Sequence, residues 1–478
     1  MTEVTPSVRK IQPGSFEVDQ HFYTRVPNAQ LHPLVRAFLG LGNDRIARRY
    51  CHLHPEISRD AITKALQYRP RFFRWSGSDL FHVTDDQGRR RMVIIETNSS
   101  PSGQKSMPLL QEEDEQAGYR RLLEKAFVPA LSRRGLPAGG LAVLWDKNPM
   151  ETTAYAAVMA DLLNEPVHLV YFPADDPDPD ARFVDGVLQV RVSGEWQPIR
   201  AAFRYVTQRP WSRIPPITRT LLFNPVVTCL AGGRNKMLAA KAYDFYNGAA
   251  AASRMHIHVP ETIWDVSREE VPLWVHRMGG VAVVKNPYSN AGQGVYTITS
   301  PGELEAFMAL EQRYERFIVQ GLIGNRNWSS HTQLGRLYHV GTLPDRRGSI
   351  FVADLRMMIG AGPGGFFPVA LYARRARHAL TETVEEGASS WDMLGTNLSV
   401  KVAGGWSTES ERLMLMDSRD FNKLGLGIDD LIEAYFQSVQ ATIAIDQMAS
   451  RLVTQKGRFR RRFFNSINPD DALLKDIC

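Results

Sequence analysis

A buried strand that ends in a carboxylate and a carboxamide constrains this chain more than any other feature. Val93-Ile94-Ile95 is an apolar run of strand character, and Glu96 and Asn98 follow it. Two residues apart on an extended chain, their side chains fall on one face. Ser99-Ser100-Pro101-Ser102-Gly103 then supplies a turn. Two oxygen donors side by side at a strand end suit a Mg²⁺ that carries nucleotide phosphates, because that ion takes few protein ligands and keeps phosphate and water oxygens. A second piece of phosphate-binding character comes only much later, at Val283-Val284-Lys285-Asn286-Pro287 through Gly292-Gln293-Gly294. A fold that uses both pieces must bring distant segments together.

The chain has 478 residues, enough for two or three domains and a large core. With 44% hydrophobic and 23% charged residues, it has the balance of an ordinary globular enzyme. A net charge of +6 suits an anionic ligand and is too mild to argue for nucleic acid. The run Lys456-Gly457-Arg458-Phe459-Arg460-Arg461-Arg462 fits a solvated terminal face, with an anion-binding patch as the alternative. Cys51, Cys229 and Cys478 form no CxxC pair, which argues against a disulfide framework or zinc site and fits a reducing cytosol. Met1 to Gly14 shows no apolar signal core, and no stretch reaches the ~18 apolar residues of a spanning helix. The expectation is a soluble, cytoplasmic protein with neither a nucleic-acid nor a membrane partner.

Three regions follow from the pattern. Residues 1–112 open with a helical segment around Leu34, Val35, Phe38 and Leu39 and end in the Glu96/Asn98 strand. The acidic run Gln111-Glu112-Glu113-Asp114-Glu115-Gln116 starts a helix that continues from Tyr119 to Leu131. Residues 113–235 contain Leu141–Trp145, a helix over Glu151–Leu163 and Pro166–Tyr171, a strand–helix–strand unit that implies a parallel sheet. Asp175–Asp180 is a proline-broken acidic loop, and Arg200–Tyr205 a further strand. Residues 236–478 alternate strands (Val281–Val284, Phe317–Gln320, Ala353–Met358, Phe367–Tyr372) with glycine loops. A long helix from Asp429 to Asp446 follows, and after Met448 a polar, basic tail.

Several pieces carry chemistry. Lys285 ends an apolar strand where its ammonium reaches a phosphate, and Asn290, Gly292 and Gly294 form a loop whose backbone N–H groups approach phosphate oxygens. An ordinary hairpin turn is the competing reading. The loop is neither a Walker A motif nor a dinucleotide fingerprint. Phe317-Ile318-Val319-Gln320-Gly321-Leu322 fits a strand with one unpaired edge that hydrogen-bonds an adenine, or a plain core strand. Asp354-Leu355-Arg356 sets acid and base on one strand face, as an internal ion pair or as an arginine aimed at a transferring phosphoryl group. Tyr372-Ala373-Arg374-Arg375-Ala376-Arg377 adds cations, and Thr396-Asn397-Leu398-Ser399 before Gly404-Gly405 adds a carboxamide. Asp79 lies on the partner strand of a hairpin turned at Asp85-Asp86-Gln87-Gly88, across from Glu96 and Asn98. The pairs His52/His54 and His256/His258 have no third ligand at metal spacing.

Together, the hairpin with Asp79, Glu96 and Asn98, the Lys285 loop, the 317–322 strand and the Asp354-x-Arg356 strand resemble the ATP-grasp superfamily. The run Glu96–Gly103 with Ser106 and Pro108 is similar to the metal segment of D-alanine–D-alanine ligases. Asp354-Leu355-Arg356 and Thr396-Asn397 with Gly404-Gly405 resemble segments of the ligases that modify ribosomal protein S6. In those families the metal segment comes last; here it comes first, as in eukaryotic glutathione synthetase and glutathionylspermidine synthetase. The resemblance therefore implies an α/β (α+β) ATP-grasp fold with circularly permuted motif order and a Rossmann-like pre-ATP-grasp substrate domain. It covers residues from about 70 to 110 and 140 to 405 and leaves the substrate-binding parts unmatched.

The resemblance implies ATP and Mg²⁺ as cofactors. Lys236 and Lys285 would contact nucleotide, with Asn290, Gly292, Gly294, Gln320, Gly321, Leu322, Arg356 and Asn397, and Asp79, Glu96 and Asn98 would hold the metal. Permuted glutathione synthetases place a glutamate ligand after the second lysine; Tyr288-Ser289-Asn290 stands there, with no carboxylate. The implied activity is a carboxylate–amine ligase that forms an amide through an acyl phosphate, on amino acids or small peptides. Lys285 and Arg356 would be its catalytic residues. A homodimer is common among such ligases. An ATP-dependent phosphotransferase and a non-catalytic ATP-binding module are the rival readings. Arg200, Arg204 and Arg209 are candidates for binding a substrate carboxylate, or surface residues.

Overall fold

In this computed structural model, residues 7–111, 114–288, 292, 294–384, 389–402 and 405–477 are described. Strand β1 (Val8–Ile11) comes first, and helices Pro33–Gly40, Gly42–Leu53 and Arg59–Leu66 follow it. Strands β2 (Trp75–Asp85) and β3 (Arg90–Ser99) form a hairpin. Its turn closes through the Asp85 carboxylate, which accepts from the Gln87 and Arg89 N–H groups at 3.0 Å each. Gly88 sits there at φ +75°, a conformation that costs glycine nothing.

The middle region carries β4 (Gly140–Trp145), helix Pro149–Leu163, β5 (Val167–Tyr171), β6 (Ala181–Val184), β7 (Val187–Val192), β8 (Glu195–Tyr205) and β9 (Leu221–Phe223). Leu141 to Leu144 are all buried, as in a strand covered on both faces. Strands β5, β4, β8 and β9 are parallel to one another. Strand β1 adds antiparallel to β5, so residues 8–11 complete this sheet rather than one of their own neighbours. The Asp175–Asp180 segment is a loop.

Helix Lys236–Ala250 leads into β10 (Thr262–Ser267), β11 (Ala282–Lys285), β12 (Val295–Ile298) and β13 (Arg316–Gln320), which form an antiparallel sheet in the order β10-β13-β11-β12. Strands β14 (Leu337–His339), β15 (Ala353–Gly362) and β16 (Gly365–Arg375) join the β2–β3 hairpin. The hairpin β17 (Ser399–Val402) and β18 (Gly405–Thr408) stands apart, and β19 (Leu413–Met414) pairs with β16. Among the described residues the order of this central sheet is β3-β2-β15-β16-β19, with β14 also on β2. The early hairpin is therefore built into a sheet whose other strands come from the C-terminal half of the chain.

Helix Ile428–Arg451 explains why that assembly holds. It is longer than the apolar spacing predicts and buried on every face from Leu431 to Asp446, polar residues included. Its Asp446, fully buried, accepts from the N–H groups of Arg71, Phe72 and Phe73 at 3.0, 2.7 and 2.8 Å and from the Tyr68 hydroxyl at 2.8 Å. A buried carboxylate that collects this many donors fixes the segment entering β2.

Two expectations are corrected. The helix expected to start in the acidic run 111–116, of which Glu112 and Glu113 lie outside the described residues, begins at Ala117, where the Asp114 side chain accepts from the Ala117 N–H at 3.0 Å, and a π-turn over Leu123–Phe127 interrupts it. The tail after Met448 is not merely polar. It forms helices Arg461–Ile467 and Asp471–Ile477, whose Phe464, Leu473 and Ile477 are buried, because the apolar residues between the charges recur at helical spacing. No helix of the described residues is long and apolar enough to cross a membrane.

Candidate active site

The β2–β3 register places Asp79 directly opposite Glu96, and the β2–β15 and β15–β16 registers extend that row to Arg356 and Tyr372. Directly paired residues share a face, so the four side chains project together. Asp354 and Arg374, paired across β15 and β16, form the next row on the same face. Asp79 Oδ1 and Oδ2 accept from Arg356 Nε and Nη2 at 2.5 and 2.6 Å, and Arg374 Nη2 stands 3.0 Å from Oδ2. Arg374 also pairs with Asp354. Burial alone would raise the Asp79 pKa, but the two guanidiniums hold it down at about 2. Arg356 donates further to the Ser102 carbonyl at 3.3 Å and to the Tyr372 hydroxyl at 3.2 Å.

Asp79 thus sits where the hairpin predicts, but it differs from the expected third metal ligand. Both of its oxygens are occupied by arginines, because the sheet register delivers Arg356 to the position opposite. The Asp354/Arg356 pair expected within one strand is replaced by cross-strand pairs, Asp79–Arg356 and Asp354–Arg374.

Glu96 and Asn98 share a face of β3 as their spacing requires. Glu96 Oε1 lies 3.2 Å from Lys236 Nζ. Burial opposes ionisation of Glu96, yet Lys236, Lys285 and Arg234 together outweigh it and lower the pKa. The Asn98 side chain is buried and makes no hydrogen bond with a described residue. A carboxamide that opens on the cavity and a carboxylate with an accessible oxygen suit a hard cation that completes its shell with phosphate and water. Among the described residues no three His, Cys, Asp or Glu side chains gather as a metal cluster, which includes the two histidine pairs.

The second sheet faces this row. Lys285, at the end of β11, is buried and donates to Gln320 Oε1 at 2.6 Å and to the Ile95 carbonyl at 3.4 Å. Burial lowers its pKa to about 8, with Glu96 opposing the drop. The N–H of Lys236 donates to the Pro287 carbonyl at 2.9 Å, so the helix carrying one lysine starts on the loop after the other. Gly292 and Gly294 have φ of +76° and +64°. A Cβ on Gly292 would stand 2.6 Å from Asn397 Nδ2, so the loop passes directly over that carboxamide. Asn290 lies outside the described residues.

The unpaired edge expected at Phe317–Gln320 is absent. Strand β13 lies between β10 and β11, the Gly321 N–H donates to the Glu261 carbonyl at 2.8 Å, and the Leu322 N–H to Ser330 Oγ at 2.7 Å. β10 supplies the pairing, a strand that Thr262–Ser267 conceals by lacking alternation. Gln320, Gly321 and Leu322 nonetheless line the cleft between the two sheets, together with Lys236, Lys285 and Glu96.

Arg200, Arg204 and Arg209, the candidates for a substrate carboxylate, are each engaged by a different protein partner. Arg200 pairs with Glu165 and Arg209 with Asp476. Arg204 is fully buried and donates to the Asn224 carbonyl and to Ser99 Oγ at 2.6 Å each, bracing the turn after Asn98. The sequence reading missed Lys105, Lys147 and Arg234, which do face a cavity beside Asn98. Lys147 carried one usable signal: it follows a buried parallel strand at the end where such sheets bind ligands.

No family model and no curated protein matches this sequence. Among solved structures, the chain is similar to a RimK-domain ATP-grasp protein from Sphaerobacter thermophilus at 14% identity and a TM-score of 0.29, over 48% of this chain and 89% of that one. It is similar to a glutathione synthetase-like effector from Globodera pallida at 10% identity and a TM-score of 0.37, over 77% and 87%. A third match is the ATP-grasp ligase PsnB, solved with a minimal precursor, Mg and ADP, at 13% identity and a TM-score of 0.26, over 48% and 87%. Likeness at these TM-scores adds no argument about activity, and the functional reading rests on the site itself.

Proposed function

We propose that this protein is an ATP-dependent carboxylate–amine ligase of the ATP-grasp type with a circularly permuted motif order, acting in the cytoplasm on small carboxylate and amine substrates. One observation carries the reading. Lys236 and Lys285, more than a hundred residues downstream, meet Glu96 of the early hairpin at one cleft between two antiparallel sheets, and Asn98 on the same face of β3 borders the adjoining cavity.

The two lysines would bind nucleotide phosphates as point charges, and the Gly292–Gly294 backbone would approach them without a Cβ in the way. Glu96 and Asn98 would hold Mg²⁺. When bound, that ion would neutralise phosphate charge and polarise the transferring phosphoryl group. Arg356 and Arg374, held in place by Asp79 and Asp354, would present fixed guanidinium N–H donors toward the reacting centre, where preorganised donors contribute most. The overall reaction joins a carboxylate to an amine with release of ADP and phosphate through an acyl phosphate. The fixed arginines and the overlying loop would shield that intermediate from water.

The test is release of ADP by purified protein with Mg·ATP, a panel of amino acids and short carboxylic acids, and an amine. ADP, phosphate and amide should appear in equal amounts. Glu96→Gln should lower turnover by about 10²–10³, the size of other electrostatic deletions. ATP turnover at wild-type rate in both Glu96→Gln and Lys285→Ala would remove the site assignment. Transfer of phosphate to an acceptor without amide would favour a phosphotransferase.

A further inference from the structure

A cavity of about 440 Å³ opens beside Glu96 and Asn98, on the side away from Lys285. That volume is within the ~300–1,000 Å³ of small-molecule sites. Of the described residues lining it, Lys105, Lys147, Arg234, Arg356 and Arg374 are cationic and Glu96 alone is acidic. Arg356 and Arg374 are neutralised by Asp79 and Asp354, and Glu96 is matched by Lys236. The cations the argument turns on are Lys147, from the middle region, and Lys105, from the turn after β3.

Lys147 makes no hydrogen bond or ion pair with a described residue. Lys105 Nζ donates to Asn148 Oδ1 and lies 4.9 Å from the centre of the Tyr23 ring, with no carboxylate on it. The two nearby carboxylates aim their hydrogen bonds elsewhere, although the Asp146 charge still opposes the drop in the Lys147 pKa. Asp146 accepts from the N–H groups of Thr207 and Gln208 at 2.9 and 2.7 Å. Glu151 accepts from the Gly103 N–H at 2.6 Å and the Tyr205 hydroxyl at 2.8 Å.

The position is independent support. Lys147 follows β4, and Tyr205 ends β8, its parallel neighbour, with Thr207 just beyond. From β4 the chain crosses to β5 on one side and later to β8 on the other, and open α/β sheets bind ligands outside the strand ends at such a switch point. Helix Pro149–Leu163 begins there too and points its N-terminus at the same space.

We infer that the carboxylate substrate carries a second anionic group, a carboxylate or a phosphonate-like phosphoryl group, which Lys147 and Lys105 hold at the end of β4 while the reacting carboxylate faces Glu96 and Asn98. This rests on the ligase reading for the reacting end but not for the anion subsite. Burial also lowers the Lys147 pKa to about 8, with Arg234 adding to the drop, as expected of a cation waiting for a counter-charge.

Calorimetric titration of the full chain, alone and saturated with Mg·AMP-PNP, tests the subsite. The probes are succinate, glutarate, adipate, L-aspartate, L-glutamate and 3-phosphonopropionate, each against its matched monocarboxylate. At least one dianion should bind tenfold or more tightly than its monoanion. That preference should vanish in Lys147→Met and largely return in Lys147→Arg, with unchanged thermal midpoints excluding misfolding. A winning phosphonate identifies a phosphoryl group; a winning diacid, a carboxylate. Equal affinity of dianions and monoanions, or a preference untouched by Lys147→Met, overturns the proposal even if ligase turnover is found. Dianion preference without any ADP release keeps the subsite and overturns the ligase reading instead.

Discussion

The buried lysine of the nucleotide cleft makes a quantitative prediction that needs no ligand. Burial lowers the Lys285 pKa from its ordinary 10.5 to about 8. At 1.36 kcal/mol per pH unit this is an opposing free energy of about 3 kcal/mol at neutral pH. The sign follows from linkage. Between pH 8 and 10.5 the unfolded chain keeps this proton and the folded chain has released it, so unfolding free energy rises with pH in that window. Below pH 8 both states are protonated and the full penalty stands. Lys285→Met removes the titration. Its effect on Gln320 Oε1, which loses a donor, is a pH-independent offset of about 1–3 kcal/mol. The wild type should therefore gain about 2 kcal/mol on the variant from pH 7 to 9.5, at about 1.4 kcal/mol per pH unit above 8. Lys147 titrates in both proteins and cancels. Urea unfolding followed by circular dichroism at each pH measures the difference. A constant difference from pH 7 to 9.5 would refute the buried, strained cation and the account of the cleft built on it.

Other outcomes are expected from the same geometry. Asp79→Asn leaves Arg356 and Arg374 buried with Asp354 alone, and urea unfolding should register a loss of about 3–5 kcal/mol. In the wild type, the depressed Asp79 pKa of about 2 contributes stability that is present above the ordinary carboxylate range and is lost as pH falls toward 2; acid unfolding of Asp79→Asn should lack that component. Gly103→Ala should cost at least about 2 kcal/mol in thermal or chemical unfolding, because φ is +152° and the new Cβ would lie 2.3 Å from Tyr372 Cε1 and 2.9 Å from Met358 Sδ. Gly364→Ala, with nothing within 4 Å, should stay within about 0.5 kcal/mol of wild type.

Local pattern made much of the site legible. The Asp85–Gly88 turn, the two-residue spacing of Glu96 and Asn98, and the apolar strand ending in Lys285 are short-range features, and each appears at its expected place. The parallel β4–β5 pair was equally readable, since an unbroken apolar run implies a strand covered on both faces. Pairing partners were not. Whether Arg356 faces a phosphate or a carboxylate depends on which residue of β2 stands opposite, and a register shift of one residue reverses every side chain. The same holds for β13, whose edge is covered by a strand without a period-two signature.

By itself, the sequence determined the strand ends that carry Glu96, Asn98 and Lys285, because spacing along an extended backbone sets which side chains share a face. Tertiary structure alone decided that Asp79 is an anchor for two arginines instead of a free ligand, and that Arg204 braces a turn. It alone also decided that Lys147, Lys105 and Arg234 converge on one cavity beside Asn98. Charges buried in a common space are coupled through distances that no linear spacing encodes, so their roles follow only once the sheets have fixed who stands opposite whom.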